Sequence, residues 1–325
     1  MNNRKLLPTT VVGSYPKPNW LRRLIREYEK GEISNKIMRR AYDDAVKAVV
    51  KEQELAGVDI LWDGEMRRDE MISYFARRIE GFTIYGEVRV WGNNYYPKPA
   101  IIDELRYRDE LAVSDYKFLR RITDHEIKIP ITGPYTLVDW SFNEYYRTHE
   151  EAVYALAEVI NQELRRLADA GASYIQIDDP AIPTHPEEIE VAKNSIEIVT
   201  REVDAYIGIH ICYGDYSKIY PEILEFNVDQ IDLEFANRNF KDIGIFKDYE
   251  FTKDLGFGCV DVHTRRIESV EEIKDNIRKA FSIVKPERVY VDPDCGLKLL
   301  SSEVAFKKLR NMCQAAREIR EELKG

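Results

Sequence analysis

Apolar positions along this chain alternate between two periods. Short β-branched or apolar runs occur at Thr10 to Val12, Ile60 to Trp62, Ile127 to Ile131, Tyr174 to Ile177, Ala205 to Ile211, Gln230 to Leu233, Gly256 to Val260 and Val289 to Val291. Runs of that length suit buried strands. Between them the spacing turns helical: Tyr42, Val46 and Val49 fall on one face, as do Leu156, Ile160, Leu164 and Leu167. Both helical segments end in Ala-Gly, at Ala56-Gly57 and Ala170-Gly171, where glycine can take the left-handed position that stops a helix. A charged helix over roughly residues 302–323 closes the series. Strand runs alternating with helices predict an α/β fold, a (β/α)8 TIM barrel, with residues 1–325 as a single domain. The rival is an open doubly wound sheet, but its Gly-x-Gly-x-x-Gly turn is not in the sequence.

One stretch breaks the alternation. Gly81 to Asp109 places Gly86, Gly92, Asn93-Asn94, Pro97 and Pro99 among aromatic and β-branched residues, which predicts a hairpin-like insertion after the second strand. Such an insertion either contributes to a site or lid, or is a surface hairpin.

Composition narrows the function classes. The 325 residues carry 48 Lys plus Arg against 58 Asp plus Glu, a formal charge of -10, which argues against general nucleic-acid binding. No apolar run approaches a membrane span and the start is not signal-like, so a cytoplasmic protein without a membrane association is expected. Four cysteines without a framework spacing fit a reducing compartment.

In a barrel of this class the chemistry sits past the C-terminal ends of the strands. The polar residues there are Ser14, Asp63, Glu65, Thr132, Asp178, Asp179, His210, Cys212, Glu234, Asp261, His263 and Cys295. His210 and Cys212 stand two apart, so strand alternation directs both to one face. With Glu234 and Cys295 they make a nitrogen- and sulfur-rich set that suits zinc. Taken singly, a buried Cys is a small hydrophobe and a Glu after a strand is a cap. Structural zinc ligands usually lie close together in sequence, whereas these are far apart, which favours a catalytic or substrate-binding ion. His263, with Asp261 beside it, is either a proton carrier or a hydrogen-bonded loop histidine. Glu65 and Asp178 are either acids for a substrate ammonium group or capping residues. His125, His149 and His185 read as surface positions.

The motifs resemble a known family. They are Thr9-Thr10-Val11-Val12-Gly13-Ser14-Tyr15-Pro16, Asp63-Gly64-Glu65-Met66-Arg67-Arg68-Asp69-Glu70-Met71, Ile131-Thr132-Gly133-Pro134-Tyr135-Thr136, Trp140-Ser141-Phe142, Ile175-Gln176-Ile177-Asp178-Asp179-Pro180-Ala181, His210-Ile211-Cys212-Tyr213 and Asp292-Pro293-Asp294-Cys295-Gly296-Leu297-Lys298. Together they resemble the C-terminal catalytic domain of cobalamin-independent methionine synthase, from about Thr9 to Lys298. The resemblance implies zinc held by His210, Cys212, Glu234 and Cys295, homocysteine bound through Ser14, Glu65 and Asp178, and proton handling by His263. It implies methyl transfer to homocysteine, forming methionine.

Departures bear on the donor. The family's Asp-Glu-Pro-Ala is Asp178-Asp179-Pro180-Ala181 here, and its His-Ser-Pro-Arg is His263-Thr264-Arg265-Arg266. The basic residue ahead of Lys-Pro-Pro is replaced around Tyr95-Tyr96-Pro97-Lys98-Pro99, and a single barrel, without the second one of the long members, is expected. Short relatives of this kind imply a corrinoid donor, methylcobalamin or a corrinoid protein, ahead of methyltetrahydrofolate. Two other readings stay open: alkyl transfer to another thiol, as in the epoxyalkane:coenzyme M transferases, and a non-catalytic partner of a separate N-terminal-domain polypeptide.

Overall fold

The computed structural model describes residues 5–91 and 94–324. Seven of the expected runs are strands of one sheet, in the order Ile60–Leu61, Glu126–Thr132, Tyr174–Asp178, Tyr206–Ile211, Gln230–Glu234, Asp254–Val260 and Val289–Pro293. The remaining run is reduced to single bridges. Thr9 pairs parallel with Val291 and Thr10 parallel with Ile60, so this short segment joins the last strand of the order to the first. That is the strand order of the (β/α)8 class. The pairings Ile60–Leu61 with Glu126–Thr132, Tyr174–Asp178 with Tyr206–Ile211, and Val289–Pro293 with Asp254–Val260 are parallel.

The strands read as unbroken apolar runs because both faces are covered. Gln230–Glu234 and Val289–Pro293 are buried at every position. The helices follow the expected stripes: Asn35–Ala56 buries Val46 and Val49, and His149–Asp169 buries Leu156, Ile160, Leu164 and Leu167. Gly57 and Gly171 take φ values of 89° and 93°, the left-handed conformation that costs glycine least. The last helix runs Ser302–Glu322.

The insertion is a hairpin. Ile79–Trp91 pairs antiparallel with Asn94–Tyr107, and the latter also pairs with Phe142–Asn143. The expected turn residues Gly92 and Asn93 lie outside the described residues. Its base is fixed from below by the buried Glu163, which accepts the Tyr107 hydroxyl at 2.6 Å and the backbone N–H groups of Leu111, Ala112 and Val113 at 2.9, 2.6 and 3.0 Å.

Contacts divide the chain into two compact units, Met1–Arg67 with Leu119–Lys128 and Asp232–Gly325, and Arg68–Phe118 with Ile129–Ile231. Among the described residues, no helix is long and apolar enough to cross a membrane.

Candidate metal and substrate site

Three of the eight predicted site residues belong to the second unit. Asp178 ends one strand and is the parallel partner of His210 on the next, so their side chains leave the same face of the sheet. The junction is tight: the Asp179 N–H donates to the His210 carbonyl at 3.0 Å, and the Gly133 N–H to the Asp178 carbonyl at 2.8 Å. Gln176 Nε2 donates to Asp178 Oδ1 at 2.6 Å and holds that carboxylate in place. His210 and Cys212 are buried, while Tyr213 is exposed and left-handed at φ 58°. The chain therefore turns outward immediately after the Cys212 thiol.

The other five lie in the first unit. Ser14 and Cys295 meet through Gly296. The Leu297 N–H donates to the Ser14 carbonyl at 2.7 Å, and a Cβ on Gly296 would stand 2.1 Å from Ser14 Oγ. Only glycine lets the two segments approach this closely. The Tyr15 N–H donates to the Gly64 carbonyl at 2.9 Å, bringing Glu65 alongside. Glu65 is left-handed at φ 58°, an uncommon conformation for a residue with a side chain and one that recurs at functional sites. Its N–H is held by Asp63 Oδ1 at 2.7 Å and its carbonyl by Lys17 Nζ at 3.2 Å.

Glu234 is buried at the end of its strand. Asn237 Nδ2 donates to Glu234 Oε2 at 3.2 Å and lies 3.5 Å from Nδ1 of the exposed His263. Asp261 Oδ1 accepts the His263 backbone N–H at 2.7 Å and stands 3.4 Å from its Nδ1. This loop is fastened from behind, where the buried Lys308 donates to the Asp261 carbonyl at 2.8 Å and pairs with Glu268 at 2.7 Å.

In the second unit His210 and Cys212 each offer a buried ligand atom, and these two atoms lie within 4.8 Å of each other. Ligand atoms around one zinc stand roughly 3.5–4 Å apart, so this spacing is within a small side-chain adjustment of a shared ion. In the first unit Glu234 is buried and the Cys295 thiol half-buried. The other two thiols are unlike these. Burial, followed by the charges of Asp292, Asp294 and Glu268, holds the Cys259 thiol well above its usual range, and burial pushes Cys313 up to about 12. Both are neutral thiols at physiological pH, as expected of hydrophobic packing groups.

Two contributors were missed in the sequence. Asn237 lies outside the quoted motifs, and nothing local distinguishes it from a turn residue. Asp294 lies inside one, directly before Cys295, and its position was the available signal. His149, expected at the surface, is half-buried with Nδ1 2.9 Å from Glu188.

An α/β barrel with polar and sulfur-bearing residues past its strand ends is the architecture of a large class of enzymes. The chain belongs to the cobalamin-independent methionine synthase family: the family model "Cobalamin-independent synthase, Catalytic domain" matches residues 7–318. It is 47% identical over 326 residues to the methionine synthase of Saccharolobus solfataricus, covering 100% of this chain and 98% of that one. It is 48% identical to the methionine synthase of Pyrococcus furiosus over 319 residues, covering 98% and 94% of the two chains. The fold matches that of a B12-independent methionine synthase from Shewanella sp. W3-18-1, solved with selenomethionine, at a TM-score of 0.89 and 27% identity over 98% of this chain and 99% of that one. The protein is therefore a methyltransferase.

Proposed function

We propose that this enzyme transfers a methyl group to the thiol of homocysteine with the help of a zinc ion held by His210, Cys212, Cys295 and Glu234. The observation that carries this reading is the family match over residues 7–318, within which the His210 imidazole and the Cys212 thiol stand at one strand end with ligand atoms within 4.8 Å of each other. When bound, zinc lowers the pKa of a coordinated substrate thiol and so supplies a thiolate at neutral pH.

The remaining work falls to the chain's own groups. Glu65 and Asp178 are carboxylates suited to the substrate ammonium group, and Ser14 lies against the Cys295–Gly296 turn, where it orients the amino-acid end. The selenomethionine of the Shewanella structure, a stand-in for methionine, is consistent with a pocket for the product amino acid. Carboxylates suited to an ammonium group argue against a sulfonated thiol such as coenzyme M. As the sulfur–methyl bond forms, the bond from methyl to donor breaks, and His263 provides the proton taken up by the departing group. Holding thiolate and methyl in line is the larger part of the rate enhancement.

The corrinoid donor expected from the sequence draws no support from the family description, whose words "cobalamin-independent" point away from it and favour methyltetrahydrofolate. Supplying the zinc-loaded enzyme with homocysteine and either methyltetrahydrofolate or methylcobalamin, and measuring methionine, tests both the reaction and the donor. Methionine from neither donor defeats the proposal. His263→Asn is expected to slow turnover by about 10²-fold or more while zinc content stays unchanged; metal loss in that variant would mean that a ligand has been misassigned.

A further inference from the structure

We infer that Asp294 is a positioning residue for the metal ligands, setting the spacing of Glu234 and Cys295 through three consecutive backbone N–H groups. The inference rests on the zinc reading above and extends it to residues that touch no substrate.

Asp294 is fully buried and directly precedes Cys295. Its Oδ1 accepts the N–H groups of Phe235 and Ala236, both at 2.9 Å, and its Oδ2 accepts that of Asn237 at 2.7 Å. These are the three residues that follow Glu234. They enter a short 3-10 turn, Ala236–Arg238, whose leading N–H groups have no partner within the turn. A carboxyl group, with two acceptor oxygens, can take all three. The Asp294 backbone is fixed separately, by its N–H donating to the Val260 carbonyl at 3.0 Å.

Two further features make the arrangement specific. A Cβ on Gly258 would stand 2.6 Å from Asp294 Oδ1, so the neighbouring strand gives up a side chain to admit the carboxylate. Asn237, whose N–H Asp294 holds, returns its own amide to Glu234 Oε2 at 3.2 Å. One buried acid thus governs the backbone beside one thiol ligand and, through Asn237, the orientation of the carboxylate ligand. An acid serving only as a turn cap would have no reason to control both.

The test uses the full chain, purified without metal, in the wild type and in Asp294→Asn, Asn237→Ala and Cys295→Ser. Zinc affinity is measured by chelator competition, and the ligand set by the thiolate-to-metal and d–d absorption of the Co2+ form. Asp294→Asn keeps the size but opposes an amide N–H to a backbone N–H. It is expected to weaken zinc binding by about 10–100-fold and to alter the Co2+ spectrum, with a smaller effect in Asn237→Ala. Wild-type affinity and spectrum in a folded Asp294→Asn protein would overturn the inference. If that variant does not fold, Asp294→Ser decides, since it keeps one oxygen acceptor but cannot hold all three N–H groups: weakened zinc binding with an altered Co2+ spectrum sustains the inference, and wild-type values overturn it. A wild type that takes up no zinc, or a Cys295→Ser that keeps it, instead defeats the metal reading itself, and the inference with it.

Discussion

Cys212, with a ligand atom within 4.8 Å of one on His210, and the half-buried Cys295 are the two thiols proposed for the metal, whereas Cys259 and Cys313 are buried as neutral thiols. Serine at 212 or 295 is expected to remove most of the bound zinc and the activity, whereas serine at 259 or 313 leaves zinc content near the wild-type value. Metal analysis of the four proteins checks this, and equal retention would sink the ligand assignment. At Gly296 the constraint is space. Alanine there would press on Ser14 Oγ, which can rotate away only by leaving its place beside Cys295. Gly296→Ala is expected to raise KM for homocysteine several-fold with a stability loss of about 1–3 kcal/mol. An unchanged KM would remove Ser14 from the substrate site.

At the scale of elements, a few buried acids do the joining. Glu163 on the helix His149–Asp169 collects three backbone N–H groups and a tyrosine hydroxyl, and so fixes the hairpin base and the start of the helix Val113–Leu119 together. Alanine at 163 would leave those donors buried without an acceptor, at a cost on the order of 3 kcal/mol. Urea titration gives that cost, and limited proteolysis should show earlier cleavage within residues 79–107; a stability change below 1 kcal/mol would show the clamp to be incidental. The pattern of apolar residues made the strands and helices legible, down to Gly57 and Gly171. It gave no sign of Glu163 or Asn237, and only the motif around Cys295 pointed to Asp294. An acid's sequence neighbours do not reveal which distant N–H groups it will meet.

Across the whole molecule, the start of the chain is tied to its last helix. Asp59 accepts from the Thr9 N–H at 2.9 Å and from Lys5, and takes the Arg320 guanidinium at 2.6 Å, while Arg320 also donates to the Leu7 carbonyl at 2.8 Å. Burial alone would raise the Asp59 pKa, but the donors Lys5, Thr9 and Arg320 outweigh it and hold it below the usual value. A depressed folded-state pKa contributes stability that is complete above the unfolded value of about 3.9 and is lost as pH falls through the folded one. Asp59→Asn is therefore expected to lower Tm near neutral pH and to flatten its fall below about pH 4. Parallel Tm curves for the two proteins across that range would contradict this.

The sequence by itself determined the succession of strands and helices, the (β/α)8 class and the residue types available for chemistry. Those follow from steric and solvent preferences acting over a few residues. Tertiary structure decided which of the available groups meet: that Asp178 stands beside His210, that Ser14 lies on Gly296, and that Asn237 stands between Glu234 and His263. Such meetings depend on strand register and loop course across long stretches of chain, and local periodicity does not specify either.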